Sequence, residues 1–107
     1  MAKIVQGVAD SAVQTVKGAL DLYEQANPSA EASLYRRNGS SIRVRVVDRR
    51  FEGMTKSRRH DDVWEFLAAR VDADILSEVS LLLAVAPGEL KTSLMNLEFD
   101  NPQSPAA

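Results

Sequence analysis

Leu34-Tyr35-Arg36-Arg37-Asn38-Gly39-Ser40-Ser41-Ile42-Arg43-Val44-Arg45-Val46-Val47-Asp48 is the stretch that decides the fold of this 107-residue chain. Its second half alternates aliphatic and charged residues, the period of a strand with one buried face. Upstream, Ala30, Ala32 and Leu34 alternate in the same way, and Asn38-Gly39 between two such runs signals a hairpin. Arg43 and Arg45 then project from the outer side of the second strand, while Ile42, Val44 and Val46 face a core.

Working outward, Phe51-Glu52-Gly53-Met54-Thr55-Lys56 has neither a helical nor a strand period and reads as a connection. Ser57 then suits an N-cap, and His60, Val63, Trp64, Leu67 and Val71 make a helical stripe behind Asp61 and Asp62. Val79 to Val85 fits a buried third strand, and Pro87 can open a last helix reaching Leu94 or Leu97. On the other side, Met1-Ala2-Lys3 leads into mixed apolar and polar residues. Val5, Val8, Ala9, Ala12, Val13, Val16, Ala19, Leu20 and Tyr23 fall at helical spacing, which predicts a first helix over 3–26 ended by Asn27-Pro28. The expected architecture is α+β in the order αββαβα, a three-stranded mixed sheet with helices on one face. Residues 1–97 form the single domain, and 98–107, with Pro102 and Pro105, form a flexible tail.

The chain has no cysteine, which excludes disulfides, thiolate nucleophiles and cysteine-bound metal or cluster sites. No run approaches the roughly 18–20 apolar residues of a membrane helix, and no signal-peptide centre is present. A bacterial, cytoplasmic protein is the expectation. The net charge of −2 conceals a segregation. Residues 36–59 carry nine cations (Arg36, Arg37, Arg43, Arg45, Arg49, Arg50, Lys56, Arg58 and Arg59) against Asp48 and Glu52, whereas the flanking segments are acidic. Mutual neutralisation within the fold or between protomers is the plain reading of such blocks, and binding of a polyanion is the functional one.

The run Val46-Val47-Asp48-Arg49-Arg50-Phe51-Glu52-Gly53, followed by Arg59-His60 and then Val63-Trp64 and Leu67, resembles the BolA family. Phe51, Gly53, Arg59 and His60 stand at the spacing of that family's Arg-Phe-x-Gly turn and Arg-His pair, and the resemblance covers about residues 30–90. It implies a fold related to the second type of KH domain and a small regulatory or adaptor protein. Family members that share an iron–sulfur cluster with a monothiol glutaredoxin supply a His at the start of the last strand and a Cys or His from the hairpin loop. Here those places hold Glu78-Val79-Ser80-Leu81 and Arg37-Asn38-Gly39-Ser40, so the resemblance is to a divergent form of the family that lacks the ligands, and no cofactor is expected. DNA contact is the family role that remains. The Gly-x-x-Gly clamp of KH domains is missing, because Lys56 stands three residues after Gly53.

Arg43, Arg45, Arg49, Arg50, Lys56, Arg58 and Arg59 are therefore the candidate nucleic-acid or polyanion contacts, with Phe51, Gly53, His60 and Trp64 as structural residues. A strand pair such as Arg43 and Arg45 can track phosphates, and Arg58 and Arg59 at a helix start can meet one beside free N–H groups. Tyr35 is the one aromatic on the strand face that could stack a base. His60 has no second histidine and no nucleophile beside it, and reads as a partly buried histidine hydrogen-bonded near the hairpin. Trp64 and Phe66 read as core or near-core, and the pairs Asp61/Asp62 and Asp72/Asp74 as solvated acids. No catalytic or metal-binding set emerges, so a non-enzymatic binding module is expected. The alternative is a protein-interaction adaptor that docks an acidic or glutaredoxin-like partner, or that self-associates as a homodimer.

Overall fold

The computed structural model describes residues 1–90. In chain order the elements are β1 (Lys3–Gln6), α1 (Ser11–Ala26), β2 (Glu31–Asn38), β3 (Ser41–Val47), a 3-10 turn (Arg49–Phe51), α2 (Lys56–Ala68), the single turn α3 (Ala73–Leu76), β4 (Val79–Val85) and a second 3-10 turn (Pro87–Glu89). The α+β class holds, but the sheet has four strands rather than three, in the order β1-β2-β3-β4.

The extra strand comes from the segment expected to begin the first helix. Lys3–Gln6 lies parallel to β2, pairing Lys3 with Ser33 and Ile4 with Leu34. Gly7 then turns at a φ of +86°, a conformation that favours glycine, and Asp10 caps α1 by accepting a 3.0 Å hydrogen bond from the Val13 N–H. The helical spacing of Val5 and Val8 is therefore coincidental, and Val8 is 68% exposed. The true stripe is Val13, Val16, Ala19, Leu20 and Tyr23, all buried. At the far end the Asn27 N–H still bonds the Tyr23 carbonyl, and Pro28 follows.

The β2–β3 hairpin forms as expected, with Leu34 paired to Val44 and Asn38 to Ser41. The Asn38 side chain holds the turn by accepting from the Ser40 N–H at 2.9 Å. β4 runs parallel to β3 on its other side, with α2 as the crossover. Ala32, Leu34, Ile42, Val44 and Val46 face α1 and α2 in the core, joined by Phe51, Val63 and Leu67. α2 starts one turn-half earlier than the Ser57 cap predicted: Thr55 is the cap, its Oγ1 accepting from the Arg58 N–H at 3.2 Å. The helix expected from Pro87 opens as a 3-10 turn, and its continuation to Leu94 or Leu97, like the 98–107 tail, lies outside the described residues.

Candidate polyanion-binding surface

Folding divides the basic block. Arg36 turns inward at the hairpin end, with Nε 2.5 Å from Asp10 Oδ2 and Nη2 2.9 Å from Glu78 Oε1, and so ties the start of α1 to the start of β4. Arg37 stays exposed at the same end. At about 3.3 Å per residue, β3 carries the chain about 20 Å away from it before the next exposed cations appear.

Arg59 departs most from expectation. It is only 5% exposed, because positions 59, 63 and 67 share the inward face of α2. Its guanidinium grips Glu89 in a bidentate pair at 2.5 and 2.9 Å and also donates to the Met54 carbonyl at 3.1 Å and the Ala84 carbonyl at 3.4 Å. The Arg59 guanidinium holds the Glu89 carboxyl down at a pKa of about 2. The residue is a clamp between α2, β4 and the last turn rather than part of a binding surface. Arg50 is likewise engaged. Its Nε donates to Asp48 Oδ2 at 2.7 Å and its Nη2 to the Tyr23 hydroxyl at 3.0 Å, although part of its side chain reaches solvent.

Asp48 is the buried centre of this second network, accepting also from Ser29 Oγ at 2.7 Å and the Arg50 N–H at 2.9 Å. Burial pushes its pKa up, but the hydrogen bonds from Arg50 and Ser29 prevail and hold it below the ordinary carboxylate value. Tyr23 Oη donates to Asp62 at 2.8 Å, and burial, followed by that carboxylate, raises the phenol's pKa. In these contacts Asp48, counted in the sequence only as an anion of the basic block, and Glu89 are specific partners. The signal for Glu89 was Arg59's place on the apolar stripe, since a charge there requires an inward partner.

Arg43 and Arg45 project from the face of the sheet opposite the helices, beside Tyr35 and Ser33, as the alternation predicted. They are half-buried, and Arg45 reaches Ser33 Oγ at 3.5 Å. Tyr35 on that face is 1% exposed, so its ring is not an open stacking platform. Arg49, Lys56 and Arg58 are exposed and make no ion pair within 4 Å among the described residues, although Lys56 lies near enough to Glu89 to help lower that carboxyl's pKa. Along the chain they flank the Phe51-Glu52-Gly53 turn, where Phe51 is buried and Gly53 adopts a φ of +80°. Arg49 also borders a cleft of about 530 Å3 with Pro28, Glu31, Val47, Pro87 and Leu90. A larger cleft, about 790 Å3, brings Asp21, Glu24 and Glu31 together with Lys3 and Arg45, a mixture that does not suit an anionic ligand.

His60 is not the partly buried, hairpin-bonded histidine that was expected. Its side chain is 49% exposed and lies flat against Trp64, with ring centroids 5.6 Å apart and planes 16° from parallel. Trp64 and Phe66 are partly buried against the core, as expected, and Phe66 meets Tyr23 edge-on at 5.2 Å. Among the described residues no three His, Asp or Glu side chains gather as a metal site, and no helix is long and apolar enough to cross a membrane. No family model, curated protein or solved structure matches this chain.

Proposed function

We propose that this chain is a BolA-like regulatory module that binds a polyanion, nucleic acid foremost, without catalysis, and that works in the cytoplasm. The observation that carries the reading is the selective pairing of its cations. Arg36, Arg50 and Arg59 are each bound to carboxylates of the fold, Arg50 with part of its side chain still in solvent, while Arg49, Lys56 and Arg58 stay exposed on the 3-10 turn and the first turn of α2. The Phe51-x-Gly53 turn and the neighbouring Arg59-His60 pair are also where the family resemblance lies. Arg43 and Arg45, on the outer sheet face, extend the same potential toward the hairpin.

Fluorescence anisotropy with labelled duplex DNA, single-stranded RNA and heparin, titrated with salt, tests the proposal. Three phosphate contacts give a slope of log affinity against log salt of about −2.7 on duplex DNA. The triple variant Arg49→Glu, Lys56→Glu, Arg58→Glu abolishes binding with the fold intact. Absence of binding to all three probes at low salt, or equal binding by the triple variant, refutes the proposal.

A further inference from the structure

The two edges of the sheet are treated differently. β1 is four residues long, carries Lys3, has a register irregularity between Ile4 and Gln6, and ends at Gly7. Next to it, the Ala32 N–H of β2, outside the β1 pairing, is taken by Glu24 Oε2 at 2.8 Å. These are the usual devices that prevent an edge from recruiting another strand.

β4, at the opposite edge, reads Val79-Ser80-Leu81-Leu82-Leu83-Ala84-Val85 and contains no charge and no proline. The Val85 carbonyl accepts from Asp48 of the segment after β3, so alternation turns the N–H and C=O of Leu82 and Ala84 toward the open side. The Ala84 carbonyl is partly satisfied by Arg59, and the Ala86 N–H by Glu89 at 3.0 Å. The Leu82 groups have no partner among the described residues. A register irregularity at Ser80 bounds the stretch on the other side. What is left is a short apolar edge centred on Leu82.

We propose that this edge is where two copies of the chain associate, β4 pairing antiparallel with its counterpart about a two-fold axis through Leu82. The strand is self-complementary about that residue. Leu81 falls opposite the partner's Leu83, Ser80 opposite Ala84 and Val79 opposite Val85, so like sizes meet and no charges oppose. Leu82 exchanges both backbone hydrogen bonds with its own copy. An axis at Leu83 would instead need the Ala84 carbonyl that Arg59 occupies.

The flank of α2 adds to this surface. Asp62 and Phe66 turn toward Tyr23 of α1, so His60 and Trp64, on the opposite flank, overhang the β4 side. The stacked pair supplies apolar area beside the strand edge.

Sedimentation velocity over a wide concentration range is the first test, with dimer expected and its dissociation insensitive to salt because no charges meet. Two double variants then test the register. Leu81→Lys with Leu83→Lys places like charges opposite one another twice and weakens dimerisation about 100-fold, whereas Leu81→Lys with Leu83→Glu pairs opposite charges and binds at least about tenfold tighter than the first. Amide exchange of the unaltered protein gives a readout that no folding defect can mimic. The Leu82 amide gains protection with rising concentration, while Leu83, already bonded to β3, does not. A protein that stays monomeric, a Leu82 amide indifferent to concentration, or equal weakening by both double variants overturns the proposal. So does a monomer that instead takes up a synthetic strand peptide. Dimerisation unchanged in the Arg49, Lys56 and Arg58 triple variant separates this surface from the polyanion site.

Discussion

Replacing Glu89 by alanine strands the Arg59 guanidinium, which is 5% exposed, with only the Met54 and Ala84 carbonyls at 3.1 and 3.4 Å. Removing one partner of a fully buried ion pair costs about 3–5 kcal/mol. Glu89 is itself 42% exposed, so water already screens part of the interaction, and about 2 kcal/mol is the expected loss. That lowers the melting temperature by about 10 °C in a domain of this size. Urea unfolding followed by the fluorescence of Trp64, the single tryptophan, measures it. Adding Arg59→Met to the same chain removes the orphaned charge and makes the double variant more stable than Glu89→Ala alone. The pH dependence has a definite sign. Glu89 titrates at about 2 when folded against an ordinary 4.5, so its contribution is complete above the ordinary value and disappears as pH falls toward 2. The gap between unaltered protein and Glu89→Ala therefore closes over that interval. A loss below about 0.5 kcal/mol, or a gap that does not change with acid, refutes the assignment of Arg59 as a buried clamp.

Asp48→Asn should cost about 2–3 kcal/mol by urea unfolding, because its buried carboxylate accepts from Ser29, the Arg50 N–H and the Arg50 side chain. Its lowered pKa adds stability above the ordinary carboxylate range that is lost on acidification. Tyr23→Phe removes the hydroxyl between Asp62 and Arg50 and should cost about 1 kcal/mol, with no change in the circular dichroism spectrum. Gly7→Ala forces a side chain into a φ of +86° with its Cβ 3.2 Å from the Arg36 carbonyl, and should cost about 1–2 kcal/mol in thermal melts. Gly39→Ala, at the hairpin turn with open space around it, should stay within about 0.5 kcal/mol.

The hairpin, the α2 stripe and the β4 run were legible because each shows its burial in a local period. β1 was not, since four residues beside a parallel neighbour give too short a pattern to compete with the apparent helical spacing of Val5 and Val8. The positive block was legible as composition, but its surface was not. Whether an arginine faces water or a carboxylate depends on residues far along the chain, such as Glu78 for Arg36 and Glu89 for Arg59. Only Arg59 disclosed its burial locally, through its four-residue spacing from Val63 and Leu67.

The guarded β1 edge also sets how far assembly can go. Among the described residues one side of the sheet is open, so the proposed pairing through β4 would stop at two copies. Deleting residues 1–9 would expose Leu34 and Tyr35 of β2 along the opposite side, so that each molecule offered two sticky margins instead of one. Association would then have no closing step, and the product would be fibres that grow with concentration. The short N-terminal strand would thus decide between a defined particle and an aggregate.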